Sequence, residues 1–136
     1  MAVKYTNNAF STLSSAINNS TTSISVASVA TFPTLGGSDH MYLTVVATHT
    51  TEIVKVTNVA GTTLTVVRAQ DGTTASSAAS GDRIELRITT AMLADAIADS
   101  NADAFKNITD GTNVIVADST SDTLTITGSG GTTVTN

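Results

Sequence analysis

Around residue 89 the periodicity of this chain changes from that of a strand to that of a helix. In residues 82–88 (DRIELRI) the apolar Ile84, Leu86 and Ile88 alternate with the charged Arg83, Glu85 and Arg87, which is the pattern of a half-buried β-strand. From Thr89-Thr90 onward the period becomes about 3.6 residues. Residues 91–108 (AMLADAIADSNADAFKNI) are rich in the helix formers Ala, Met and Leu. Thr90 is placed to cap this helix by accepting an orphan backbone N–H. Leu93, Ile97, Ala104 and Ile108 fall on one side of it, and Asp95, Asp99, Asp103 and Lys106 toward the other. Thr109-Asp110-Gly111 is expected to end it, Gly111 taking a positive φ. A chain built this way must fold as a β-domain that runs into a helix. The apolar stripe is narrow, with Ser100 near its centre, and suits packing against copies of itself better than covering a large core.

Upstream, residues 22–26 alternate with Ile24 and Val26 on one face, and Pro33 and Gly36-Gly37 mark a loop. Residues 41–47, 52–57 and 63–68 read as three strands of a meander, joined by a turn at 48–51 and a tight turn at Ala60-Gly61. Residues 70–81 form a long loop of small residues. Phe10, Leu13 and Ile17 fit either one helical face or an irregular strand. Downstream of the helix, NVIVADSTSDTLTITGSGGTTVTN holds three short strand-like pieces (VIVA, TLTIT, TTVT) separated by turn residues. So polar a ribbon cannot bury enough surface to fold alone. It reads as the root of a repetitive β-structure completed by neighbouring copies and continued in a distal region.

The fold expected is mainly β. Residues 1–89 form a small antiparallel β-barrel or sandwich, 90–110 a helical connector, and 111–136 the start of a β-repeat shaft. The core must be aliphatic and thin, because 40% of the 136 residues are hydrophobic but only 4% are aromatic, with no Trp. Ser and Thr together approach a third of the chain, and the branched Cβ of Thr suits a pleated surface.

The formal net charge is −5, and the six Lys and Arg are scattered. There is no basic patch to displace phosphate counterions, which argues against nucleic-acid binding. No apolar run nears the ~20 residues of a spanning helix, so no membrane insertion is expected. The absence of Cys removes disulfides and thiolate metal sites. The first residues lack the apolar core of a secretory signal, so synthesis in a cytoplasm is expected.

The chemistry-bearing residues form no catalytic constellation. His40 and His49 read as solvated loop histidines, short of the three ligands a zinc site needs. Asp71-Gly72, Gly81-Asp82 and Asp110-Gly111 read as turns, since none has the dense ligand spacing of a calcium loop. Glu52, Glu85 and the aspartates show no pairing that would hold a glycosidic bond, and GxSxG, HExxH and P-loop motifs are absent. No cofactor, no metal and no enzymatic activity are expected. Arg68, Arg83 and Arg87 stand out in a chain so poor in charge. They are candidates for a docking face toward an acidic partner, or for a solvated face with a weak ion pair to Glu85.

The segment EIVKVTNVAGTTLTVVRAQDGTTASSAASGDRIELRITTAML (52–93) resembles a sequence type common at the N-terminal ends of bacteriophage tail fibres and related virion appendages. Its marks here are EIVKVT (52–57), LTVVR (64–68), QDGTTA (70–75) and GDRIELR (81–87) running into a helix, and residues 15–35 fit the same type. The type usually has Gly after the Arg, where this chain has Ala69. The resemblance implies a homotrimeric structural protein of the virion tail. Its N-terminal domain would dock on other phage tail proteins (an adaptor or nozzle). A short coiled helix with Leu93, Ile97, Ala104 and Ile108 at the trimer interface would set three-fold symmetry. A distal region would meet the host surface. Two other readings stay open: a capsid head fibre or decoration protein, and a carbohydrate-binding module. The second is disfavoured because Tyr5, Phe10, Phe32, Tyr42 and Phe105 are scattered and form no stacking platform.

Overall fold

A computed structural model describes residues 2–101, 107–109 and 114–116. They fall into two compact units, Met1–Ser100 and Asn101–Asn136. The first unit is a six-stranded antiparallel sheet, curled into a half-barrel, followed by one short helix. Its strands are β1 (Phe10–Thr12), β2 (Ser23–Ser25), β3 (Met41–Val46), β4 (Thr51–Ala60), β5 (Thr63–Gln70) and β6 (Arg83–Glu85), in the spatial order β1-β6-β3-β4-β5-β2.

The expected meander forms its centre. β3 pairs with β4 from Met41↔Val56 to Val46↔Thr51, and β4 turns into β5 through Gly61-Thr62. Gly61 has φ 60°, a conformation that the first position of a tight hairpin turn needs and that a side chain resists. β6 then returns to pair with β3 on one side and β1 on the other. The curl brings the two edge strands together, where Leu13 bridges Val26 and Ala27 N donates to Thr12 O at 2.9 Å. Phe10, Leu13 and Ile17 therefore belong to an irregular strand. Ala9, Ser11 and Leu13 point inward and Phe10 outward.

Period-two alternation fills the concave side. Met41, Leu43 and Val45 of β3, Val54 and Val56 of β4, Leu64 and Val66 of β5, Ile24 and Val26 of the β2 segment and Ile84 of β6 make one aliphatic core. Phe32 is its one aromatic side chain. A smaller cluster lies on the convex side of β3, where Val3, Tyr42 and Met92 are buried against Ile53, Leu86, Ala91 and Ala96.

The register between β4 and β5 slips between Ile53/Lys55 and again between Val56/Asn58. At the first slip β5 carries an extra residue, and Ala69 takes φ 55° there. The sequences this segment resembles usually carry Gly at that point, and the left-handed backbone supplies the reason: Cβ crowds the carbonyl at positive φ by roughly 1–2 kcal/mol. Ala69→Gly should therefore stabilise the domain by roughly 0.5–1 kcal/mol after the entropy lost by a freer unfolded chain. A thermal melt checks it, with a rise of a few degrees expected and a fall counting against strain at Ala69.

The helix departs from the sequence expectation at both ends. α1 spans Thr90–Asn101, 12 residues where about 18 were expected. Thr89, not Thr90, caps it, its Oγ1 accepting Met92 N at 3.2 Å. Asp71 Oδ2 adds a second cap from the β5–β6 loop by accepting Ala91 N at 3.0 Å. Ile108, expected on the helical stripe, lies instead in a strand of the second unit, and so does Thr109, expected to end the helix. Within that unit β7 (Asn107–Thr109) pairs with β8 (Val114–Val116) antiparallel, Ile108 opposite Ile115. The VIV strand is thus where the pattern put it. The TLTIT and TTVT pieces, Asp110-Gly111, Asp103, Ala104 and Lys106 lie outside the described residues.

The β6 strand is also shorter than its alternation. After Glu85 the chain leaves the ladder, Leu86 N donates to Ala9 O at 2.9 Å, and Ile88, expected inward, is 81% exposed just before the helix.

Candidate functional site

Three groupings of side chains carry the chemistry of the first unit: the seat of α1, a buried ion pair at one end of the half-barrel, and an exposed arginine pair on and just after β6.

α1 sits on the convex face of β3 in an orientation opposite to that of an ordinary amphipathic helix. Among its described side chains Met92 is the one deeply buried, while Leu93 and Ile97 are each 53% exposed. The acids face the sheet. Asp95 Oδ2 lies 2.7 Å from His40 Nε2 and accepts the Tyr42 hydroxyl at 2.9 Å. Asp99 Oδ2 accepts Val3 N at 2.8 Å. A carboxylate can only accept, so the hydrogen of His40 is on Nε2. His40 is buried, against the expectation of a solvated loop residue, and its Nδ1 has no partner among the described residues. His49 is exposed as expected. The Tyr42 ring meets His40 edge-on at 5.4 Å and carries Lys55 Nζ 5.7 Å from its centroid. Burial, helped by the Asp95 carboxylate, pushes the Tyr42 hydroxyl up to about 12. Burial would raise the Asp95 carboxyl too, but the hydrogen bonds from His40 and Tyr42 outweigh it and hold the group below its ordinary range.

The buried pair is Glu52–Arg68. Arg68 was a candidate for the docking face; its side chain is only 7% exposed and is turned into the half-barrel. Nε and Nη2 donate to the two Glu52 oxygens at 2.7 and 2.6 Å, Nη1 to the carbonyls of Asn18 and Thr21, and Nη2 also to Ser76 O. All five guanidinium hydrogens are thereby used. Glu52 in turn accepts Ala69 N and Ser76 N, each at 3.0 Å. The pair ties β4, β5, the loop after β1 and the loop before β6 into one knot. Burial pushes the Glu52 carboxyl up, and the Arg68 bond with the two backbone N–H groups more than reverses it, so the net direction is down.

The sign of the pH dependence follows. A carboxylate whose folded value lies below its ordinary one, 4.5 for Glu52 and 3.8 for Asp95, stabilises the fold above that ordinary value. The contribution is lost as pH falls through the depressed folded value. The melting temperature should stay level from neutral pH to about 5 and drop steeply below about 4, as read by circular dichroism. A midpoint that rose on acidification would contradict the Glu52 assignment.

Arg83 and Arg87 remain outward, each about half exposed, flanking Glu85. Arg83 Nε donates to Glu85 Oε2 and Arg87 Nε to Glu85 Oε1, the latter at 2.6 Å. The Arg83 guanidinium also lies 4.2 Å from the centroid of the exposed Phe10 ring on β1. The structure therefore brings Arg83 and Arg87 together and takes Arg68 away from them. Among the described residues no group of three His, Asp or Glu could hold a metal ion, and no helix is long and apolar enough to cross a membrane.

A scan against protein-family models finds no match, and no curated protein matches the chain. The functional reading rests on the residues themselves and on the resemblance they carry.

Proposed function

We propose that this chain is a structural virion protein, the N-terminal anchor of a phage tail fibre, assembled as a homotrimer and catalysing nothing. The observation that carries the reading is the inverted helix: α1 spends its acids on its own sheet and turns Leu93 and Ile97 outward. A helix seated by polar contacts, with aliphatic side chains turned outward, suits association with the same helix of two further chains.

In this reading the curled sheet closes as a small barrel that docks on a tail protein through Arg83 and Arg87. α1 is the coiled connector, with Leu93 and Ile97 at the three-fold axis. The β7–β8 pair begins a shaft in which strands from three chains complete one another, Ile108 among them. The docking guanidiniums keep a free edge although Glu85 holds the other, so an acidic rim on the socket protein can share them. The assembly would reside in the virion tail, with the host contacted only by a distal region.

Light scattering on the purified chain tests the assembly. A mass of three chains that persists on dilution to micromolar concentration is expected. A monomer at every concentration would remove the proposal.

A further inference from the structure

The turn that leaves β5 carries Asp71-Gly72 at its tip, both residues exposed and both at positive φ, 52° and 78°. The pair joins a side-chain carboxyl to the backbone nitrogen that can attack it, and glycine leaves that nitrogen unhindered because it has no Cβ. Gly72 N–H has no hydrogen-bond partner among the described residues, and a Cβ at Gly72 would meet nothing within 4 Å. The comparable pair Asn19-Ser20 differs, since Ser20 N is tied to Asn18 Oδ1 at 2.9 Å. The Asp71 carboxyl has an occupation of its own: its Oδ2 accepts Ala91 N at 3.0 Å and caps α1. A carboxylate held by that donor is restrained from turning onto its own backbone. It is freed whenever the helix start frays, which is among the least costly openings of a fold.

We infer that Asp71-Gly72 is a modification site, at which aspartate converts spontaneously to isoaspartate at a rate set by the cap on α1. The Gly72 nitrogen adds to Asp71 Cγ. Its proton, the carboxyl proton and one carboxyl oxygen leave as water, closing a succinimide ring. Water then opens the ring. Addition at Cγ restores aspartate. Addition at the former main-chain carbonyl breaks its bond to the Gly72 nitrogen, so that the chain runs on through Cγ and the old carbonyl becomes a free carboxylate. Water is the only co-reactant, and nothing is oxidised or reduced. The product lengthens the turn by one methylene and removes the acceptor of Ala91 N. It also stretches the bonds that span the pair, from Thr73 N and Thr73 Oγ1 to Gln70 O, at 3.0 and 2.7 Å. The Thr73 hydroxyl in turn accepts Ile53 N at 3.0 Å, so the modification loosens both the helix start and the adjoining end of β4.

The test ages the full chain for weeks at mildly acidic pH and body temperature and maps its peptides by mass spectrometry, with enzymatic methylation of isoaspartate as a second readout. Isoaspartate should accumulate at residue 71, accompanied by a succinimide lighter by one water. The isomerised fraction should melt a few degrees lower than the parent. Ala91→Pro removes the N–H that holds the carboxylate, at a first-turn position that tolerates proline. Thr89→Ala removes the other cap and leaves that N–H in place. Both variants should react several-fold faster at residue 71 while a melt shows them folded. The inference is overturned if the folded chain gains no isoaspartate at residue 71. Product only at the chain's other Asp-Gly pair, Asp110-Gly111, or folded variants that react no faster than the parent, would overturn it as well.

Discussion

Arg68→Ala should destabilise the first unit by about 3–5 kcal/mol, the cost of leaving one member of a buried ion pair alone. The loss is large because the guanidinium serves five acceptors at once: both Glu52 oxygens and the carbonyls of Asn18, Thr21 and Ser76. After the substitution the Glu52 carboxylate, 1% exposed, keeps only the N–H groups of Ala69 and Ser76. Its charged form is then disfavoured by burial, and the sign of its linkage reverses. The variant should gain stability as pH falls toward the carboxylate range, where the wild-type chain loses it. Urea denaturation at pH 7 and near pH 4.5 reads both effects. A loss under about 1 kcal/mol at neutral pH would mean that water replaces the guanidinium and that the knot contributes little.

On the proposed trimeric assembly, Leu93→Glu should give monomers while leaving the β-domain folded. Leu93 is half exposed in the single chain, and glutamate is a good helix former that favours the first turns of a helix, so the substitution costs the isolated fold little. At the proposed three-fold axis it would place three carboxylates together in an apolar seam. Each truncated anchor there is worth on the order of 2 kcal/mol, and three chains lose it together. The apparent dissociation constant should rise by orders of magnitude, seen as a mass of one chain by light scattering with an unchanged circular dichroism spectrum. A variant that stays trimeric would place the interface elsewhere on the chain.

The strands of the meander were legible because their environment is uniform. On β3, β4 and β5 alternate residues meet an aliphatic interior on one side, and sequence parity follows it directly. The same parity also held the buried pair. Glu52 is in phase with Val54 and Val56, and Arg68 with Leu64 and Val66, so carrying the alternation to the strand ends would have turned both charges inward. Arg68 read as a surface residue because charge type outweighed position. The partners of the helix acids were not legible: His40 and Tyr42, both distant in sequence, bond Asp95. No local pattern announces such a pairing. Ile108 was misassigned to the helical stripe because its spacing from Ala104 fits a helix, while its actual partner, Ile115, is the facing residue of β8.

The meeting of β1 and β2 at Leu13–Val26 has a consequence for how copies of the domain meet. A chain so rich in threonine and alternating strands carries the standing hazard of ribbon growth, in which an open strand recruits the backbone of its neighbour and domains fuse side by side. Here both terminal strands are three residues long and engage each other, so little bare backbone is left on the flank to template a stranger. Copies of the domain can then stand close together without fusing strand to strand, and any contact between them falls to side chains.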